Sequence, residues 1–220
     1  MEGSPLAPYN PSVYPQGSFR LGTVVRPISN EDHYDIDLVC RLAIGKEATT
    51  QKRVKTMVGD RLKERSDLAE AIEESRRCWR LNLADHFHLD TLPCIANIER
   101  APNGILLTDT DLTKWQKSNP IAYADWFRTR MTVVFEQRRY ELAKAMKADI
   151  QAVPEWQVKT PLQRAVQILK RHRDVYFQND LDKRPVSIIL TTLAALSYNN
   201  ESDIFQALAS GRRALLPIHQ

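Results

Sequence analysis

Cysteine is scarce: Cys40, Cys78 and Cys94 are three in 220 residues, an odd and unclustered set. That excludes a disulfide framework and suits a reducing compartment, so a cytoplasmic location is expected. No run reaches the roughly 18 uninterrupted apolar residues of a membrane span. The N-terminus, Met1-Glu2-Gly3-Ser4-Pro5, lacks a basic region followed by an apolar one, which argues against secretion. Internal repeats and low-complexity tracts are also missing. What is present is ordinary globular material. At 43% hydrophobic and 26% charged residues, disordered and fibrous classes are excluded. The length suits one large domain or two small, packed ones.

Charge of one sign is short in each half. Residues 1–110 hold 14 Lys/Arg against 16 Asp/Glu, and residues 111–220 hold 17 against 11. An acidic half and a basic half suit an anionic substrate with a divalent metal, and chance variation along a solvated surface gives the same figures.

Four prolines in the first fifteen residues predict an extended lead-in. Phe19, Leu21, Val24 and Val25, broken by Gly22, predict a strand with a turn over Ser18–Pro27. Asn30 to His33 predict a loop, and Tyr34–Leu42 a second strand. Helical periodicity covers 49–74, with Val54, Met57, Val58, Leu62, Ala69 and Ile72 on one side. Trp79–Leu83 and Phe87–Ile95 predict further strands. Beyond residue 111 only helices are expected. Asn119-Pro120 opens a long one to about Ile150, Thr160-Pro161 opens a second, and Pro185 precedes a third over Val186–Tyr198. That third helix is apolar nearly all round and is expected to be buried. Trp115, Trp126 and Trp156 are expected as packing residues.

The chemistry-bearing run is Gln16-Gly17-Ser18-Phe19-Arg20-Leu21-Gly22-Thr23, followed by Tyr34-Asp35-Ile36-Asp37-Leu38-Val39-Cys40. Residues two apart in a strand share a face, so Asp35 and Asp37 point together while Ile36 and Leu38 enter the core. Two adjacent carboxylates repel unless a cation lies between them. Oxygen ligands on a rigid strand suit Mg²⁺. A third carboxylate, Asp90, is offered by His86-Phe87-His88-Leu89-Asp90. Cys78, His86, His88 and Cys94 match no zinc template. Cys40 reads as a core residue and not as a nucleophile.

These residues resemble the polymerase-β-like nucleotidyltransferases, which carry Gly-Ser, then Asp-x-Asp, then a single Asp on a later strand. The run Tyr14–Thr23, with Tyr-Asp-Ile-Asp-Leu-Val-Cys after it, is similar to the bacterial CD-NTases. These are relatives of cyclic GMP–AMP synthase that make cyclic nucleotide signals in CBASS anti-phage defence. Asn119-Pro120, Trp126-Phe127, Leu169-Lys170-Arg171-His172 and Pro185-Val186-Ser187 extend the resemblance over roughly residues 14–198. It implies that Gln16, Gly17 and Ser18 cradle a triphosphate. It implies further that Asp35, Asp37 and Asp90 are catalytic and hold two Mg²⁺ ions, with Mn²⁺ as the alternative, and that Lys170 and Ser187 grip the donor phosphates. General chemistry agrees: a Gly turn admits phosphate to backbone N–H groups, a Lys adds a point charge, and a helix N-terminus favours anions.

The expected fold is therefore α+β. A nucleotidyltransferase palm, a mixed sheet with flanking helices, occupies 1–110, and an all-helical domain over 111–220 closes the nucleotide cleft. The expected activity joins ATP and/or GTP into a cyclic di- or trinucleotide messenger that reaches a downstream effector. The family usually has a helix before the Gly-Ser turn and usually continues beyond the equivalent of Gln220. A regulatory protein or a missing chain segment is accordingly a candidate partner. Nucleic acid is compatible with the basic half without being required, and no membrane is expected. Two alternatives stand beside this reading: transfer to an RNA, protein or small-molecule acceptor, and a non-catalytic nucleotide-binding fragment.

Overall fold

A computed structural model describes residues 4–28, 34–83, 87–111 and 114–215, with side chains through residue 211. The expected loop from Asn30 to His33, and His86, lie outside the described residues. The chain divides into two compact units, one of Met1–Arg20 with Ser29–Tyr123 and one of Leu21–Ile28 with Ala124–Gln220. Residues 21–28, expected in the first domain, thus fall in the helical unit. The architecture is α+β.

The first unit is built on a mixed sheet. Its strands are β1 (Ser12–Pro15), β2 (Tyr34–Leu42), β3 (Ile72–Glu74), β4 (Trp79–Leu83), β5 (Phe87–Ala96), β6 (Ile105–Leu107) and β7 (Gln116–Ser118). The main order is β1-β2-β5-β4-β3. Only β2 and β5 run parallel. The ten residues of β5 give room for β4 along Phe87–Thr91 and β6 along Cys94–Ala96. Alternation sorts the faces. Cys40, Leu42, Trp79 and Ile95 pack with Val54 and Val58 of helix α2 (Gln51–Lys63), and Val39, Cys94 and Ile105 pack with Tyr14 on the other face. Thr50 caps α2 by accepting from the Arg53 N–H at 3.2 Å.

Three sequence expectations fail in this unit, one of them that only helices follow residue 111, where β7 pairs with β6. The helix expected to reach residue 74 stops at Lys63, and Ile72 lies in β3 opposite Leu81. Ile72 still packs on the main core, so an apolar residue in helical register serves a strand instead. The strand expected over Ser18–Pro27 is also absent. Gly17, at φ +60°, turns the chain, and Gly17–Leu21 wind into helix α1.

In the second unit, α3 (Pro120–Thr129) and α4 (Thr132–Met146) replace the single long helix expected to about Ile150. Thr129 Oγ1 donates to the Trp126 carbonyl at 2.7 Å and Thr132 Oγ1 to that of Arg128 at 3.0 Å. Such back-bonding bends helices. The Arg130 guanidinium fixes the break by donating to the carbonyls of Ala195, Leu196 and Tyr198. Helix α5 (Pro161–Tyr176) opens as expected: Thr160 and Gln163 form a capping box. Helices α6 (Ser187–Ser197) and α7 (Ile204–Leu215) pack with α5 and with each other.

Helix α6 is not buried all round. Leu190, Thr191, Ala194 and Ala195 face inward, whereas Ile188, Ile189 and Leu196 are 56%, 48% and 56% exposed. Its apolar composition reflects two apolar faces, of which α5 and α7 cover one. Trp156 is likewise exposed, while Trp115 packs against the main core.

Candidate active site

The parallel pairing of β2 with β5 sets Asp37 directly opposite Asp90, and Asp35 opposite His88. Antiparallel pairing then brings Arg80 of β4 opposite Asp90 and Asn82 opposite His88. Paired residues share a face, so one rung reads Asp37–Asp90–Arg80 and the next Asp35–His88–Asn82. Adjacent strands lie about 4.8 Å apart, which puts the two carboxylates of the first rung within reach of a shared cation.

The Gly-Ser turn meets this rung. The Gln16 N–H donates to the Asp37 carbonyl at 2.9 Å, and a Cβ placed on Gly17 would fall 2.4 Å from Asp37 Oδ2. Glycine is required there twice over, by its positive φ and by the carboxylate above it. Ser18 follows in the first turn of α1 and is half-buried.

Asp90 is 8% exposed, and Arg80 holds both its oxygens, Nε to Oδ1 at 2.8 Å and Nη2 to Oδ2 at 2.7 Å. This fork supplies the counter-charge that a buried carboxylate needs, and the Asp90 hydrogen bond raises the Arg80 pKa. Asp35 is open to solvent, with His88 Nδ1 3.5 Å from its Oδ1. Among the described residues, no three His, Cys, Asp or Glu groups converge closely enough to form a ready-made metal cage. The donor chemistry nevertheless fits a hard divalent cation: all-oxygen ligands on a rigid pair of strands, one of them against a cradle that a Cβ would fill. Asp90 would join such a set only by giving up part of its Arg80 fork.

The cysteine thiols are held in the neutral form, Cys78 beside Asp90. Burial pushes the thiols of Cys40 and Cys78 up to about 11 and that of Cys94 to about 12. All three are free and buried, and Cys40 lies in the main core as its position in the strand implied.

Lys170 and Ser187 belong to the second unit. Lys170 is not a solvated helix position: it is 5% exposed, and its Nζ donates to both the carbonyl and Oγ1 of Thr23 at 3.2 Å. Ser187 opens α6, and its Oγ accepts from Arg173 Nη1 at 2.8 Å. Arg80 and Thr23 were not singled out from the sequence. Alternation along Trp79-Arg80-Leu81 could have found Arg80, because Trp79 facing the core puts Arg80 on the carboxylate face. No comparable signal marks Thr23.

Residues 11–94 match the family described as cyclic GMP-AMP synthase DncV-like, nucleotidyltransferase domain. A c-di-GMP synthase of Roseivirga ehrenbergii is 34% identical over 197 residues, which are 87% of this chain and 50% of that protein. The cyclic dinucleotide synthase CdnG of Bradyrhizobium diazoefficiens is 26% identical over 208 residues, 86% of this chain and 48% of that protein. The chain thus spans about half the length of the curated relatives it matches. Among solved structures, Bradyrhizobium diazoefficiens CdnG in complex with GTP superposes with a TM-score of 0.75 at 22% identity, covering 97% of this chain and 65% of that one. Vibrio cholerae DncV gives 0.65 at 20% identity, covering 93% and 50%. Enzymes of this family generally use divalent metals, in keeping with the oxygen-rich rung. The Gly-Ser turn, the two carboxylate strands and the family match together identify a DncV-like nucleotidyltransferase domain in the sheet unit, in a chain that is similar to cyclic dinucleotide synthases over most of its length.

Proposed function

We propose that this chain carries the nucleotidyl-transfer site of a cyclic oligonucleotide synthase that uses GTP and/or ATP. The observation that carries the reading is the Asp37–Asp90 rung with Gly17 packed on the Asp37 carboxylate. Gln16, Gly17 and Ser18 take the donor triphosphate, the turned backbone presenting N–H groups to it. Two Mg²⁺ ions, or Mn²⁺ in their place, would be held by Asp35, Asp37 and Asp90 and would neutralise charge on the triphosphate and the departing pyrophosphate. An Asp90 oxygen accepts the hydrogen bond of the attacking ribose hydroxyl. That hydroxyl forms its new bond at the α-phosphate in line with the bond to pyrophosphate that breaks. Ser187 stays in the nucleotide-binding set on the strength of the resemblance, since it opens a helix beside Arg173, where an anion is favoured.

The same resemblance assigns the product to anti-phage signalling in the cytoplasm, with an effector protein downstream. Mass spectrometry of products from all four NTPs with Mg²⁺ or Mn²⁺ tests the reading. Cyclic product without an added acceptor supports it. Transfer only to added RNA, protein or small molecule replaces it with the acceptor-dependent alternative. A second reading, nucleotide binding without turnover, predicts Mg²⁺-dependent binding with no product under any condition.

A further inference from the structure

Strand pairing continues the carboxylate rung beyond Arg80. Asp37 faces Asp90, Asp90 faces Arg80, and Arg80 faces Glu73 of β3. Paired residues share a face, so all four side chains stand on one side of the sheet, on strands about 4.8 Å apart. Glu74 points to the opposite face, where its Oε1 lies 3.4 Å from Lys55 Nζ of α2. Lys55 also donates to the carbonyls of Ser75 and Arg76, which fixes the register of this short edge strand. Glu73 is exposed, and among the described residues no ion pair or hydrogen bond engages its carboxylate.

Arg80 therefore stands between two carboxylates and binds one of them. Its Nε and Nη2 take both Asp90 oxygens, while Nη1 makes no hydrogen bond among the described residues. Arg80 yields at least part of that fork when Asp90 binds a divalent cation, since both positive groups need the same oxygens. A guanidinium only 34% exposed then bears a desolvation cost unless it finds another anion. The register supplies one, Glu73, which Arg80 reaches by turning its side chain with no backbone movement. Three carboxylates and one guanidinium give the rung a net charge of −2, which one divalent cation balances. We propose that Glu73 is a positioning residue for the metal site: it takes the Arg80 guanidinium when a cation takes Asp90, and so raises the affinity for that cation. This rests on the reading of Asp37 and Asp90 as metal ligands.

Mn²⁺ affinity without nucleotide, read on the full chain by electron paramagnetic resonance, tests it through a double-mutant cycle. Glu73→Gln should weaken Mn²⁺ binding about threefold, the size of a partly exposed ion pair. Arg80→Gln should strengthen it, because no guanidinium then holds Asp90. In the Arg80→Gln background, Glu73→Gln should have no further effect. Glu73→Asp should keep part of the wild-type affinity. Glu74→Gln removes the same charge one residue away on the opposite face, and should leave the affinity unchanged. The second readout is the Arg80 Nε–Hε resonance, assigned through Arg80→Lys. Mg²⁺ should shift it in wild type and keep it protected from solvent exchange. In Glu73→Gln the same addition should leave it in fast exchange.

An equal loss from Glu73→Gln with and without Arg80 overturns the proposal, because that is the mark of charge acting through space. A loss in Glu74→Gln as large as in Glu73→Gln overturns it for the same reason. So does an Arg80 resonance that responds to Mg²⁺ identically in wild type and Glu73→Gln. Should Arg80→Gln fail to fold, the resonance in wild type and Glu73→Gln decides, since Glu73 is exposed and its substitution spares the core. A wild type that binds neither ion removes the reading of the carboxylates as metal ligands, and the proposal falls with it. Metal binding that ignores Glu73 removes the proposal alone.

Discussion

Asp37 is constrained on more sides than its two partners. Its carbonyl accepts from Gln16, its carboxylate lies against Gly17, and it faces Asp90 across the parallel pair. Asp37→Asn keeps the shape and removes the charge. It should abolish product formation with the far-UV spectrum and melting temperature preserved; near-normal turnover would refute the assignment. Arg80 makes the opposite case. Arg80→Met leaves the Asp90 carboxylate buried without its fork, so the metal-free protein should lose about 2 kcal/mol, as for hydrogen bonds to charged groups. Mg²⁺ alone should then raise the melting temperature more in the variant than in wild type, since no guanidinium competes for Asp90. Asp109 ties Arg76 to Arg77. Burial works against its charge, but the two guanidinium groups and the Asp111 N–H outweigh it and hold the carboxyl well below the usual range. A depressed folded pKa gives stability that is present above the unfolded value near 4 and lost as pH falls through the folded one. Asp109→Asn should therefore flatten the decline of melting temperature below pH 4. Asp35, Asp37 and Asp90 were legible because a two-residue period and a Gly-Ser turn are local signals. The Arg80–Asp90 fork and the Thr23–Lys170 contact were not, because each is a pairing of residues ten or more apart in the chain.

The elements that sequence named correctly are those whose signal is complete within themselves. Strand β2 alternates over nine residues, and α5 carries its own capping box. Those it missed depend on what lies alongside. The α3–α4 break is fixed by Arg130 reaching the end of α6, and β3 owes its strand form to pairing with β4. The Thr160 cap is buried and reciprocal, so Thr160→Ala should cost about 1 kcal/mol, read as a lower midpoint of helix unfolding by circular dichroism. The outward face of α6 makes the reverse prediction. Ile188→Lys with Leu196→Lys should leave the melting temperature within about 3 °C, because two surface changes of this kind together stay within about 1 kcal/mol. A large loss would mean that this face is packed in solution.

At the scale of the whole molecule, the chain enters the sheet unit, leaves it at Leu21 for eight residues, returns at Ser29, and leaves again after Tyr123. The strap, residues 21–28, thus lies in sequence between α1, which carries Ser18, and β2, which carries Asp35 and Asp37. Gln163, Gln167 and Lys170 of α5 donate to the carbonyls of Leu21, Val24 and Thr23, so melting of the helical unit frees the chain on the C-terminal side of the Gly-Ser turn. Ligand bound at that turn should therefore stabilise the helical unit as well as the sheet. A ligand that binds only the native state adds about 2.7 kcal/mol at 100 times its Kd. With GTP or ATP and Mg²⁺, both helix ellipticity and Trp79 fluorescence, isolated by replacing the other three tryptophans with Phe, should shift upward together. A shift in the Trp79 signal alone would show that the sheet unit binds nucleotide without the strap. No shift beyond that given by Mg²⁺ alone would remove the nucleotide site itself.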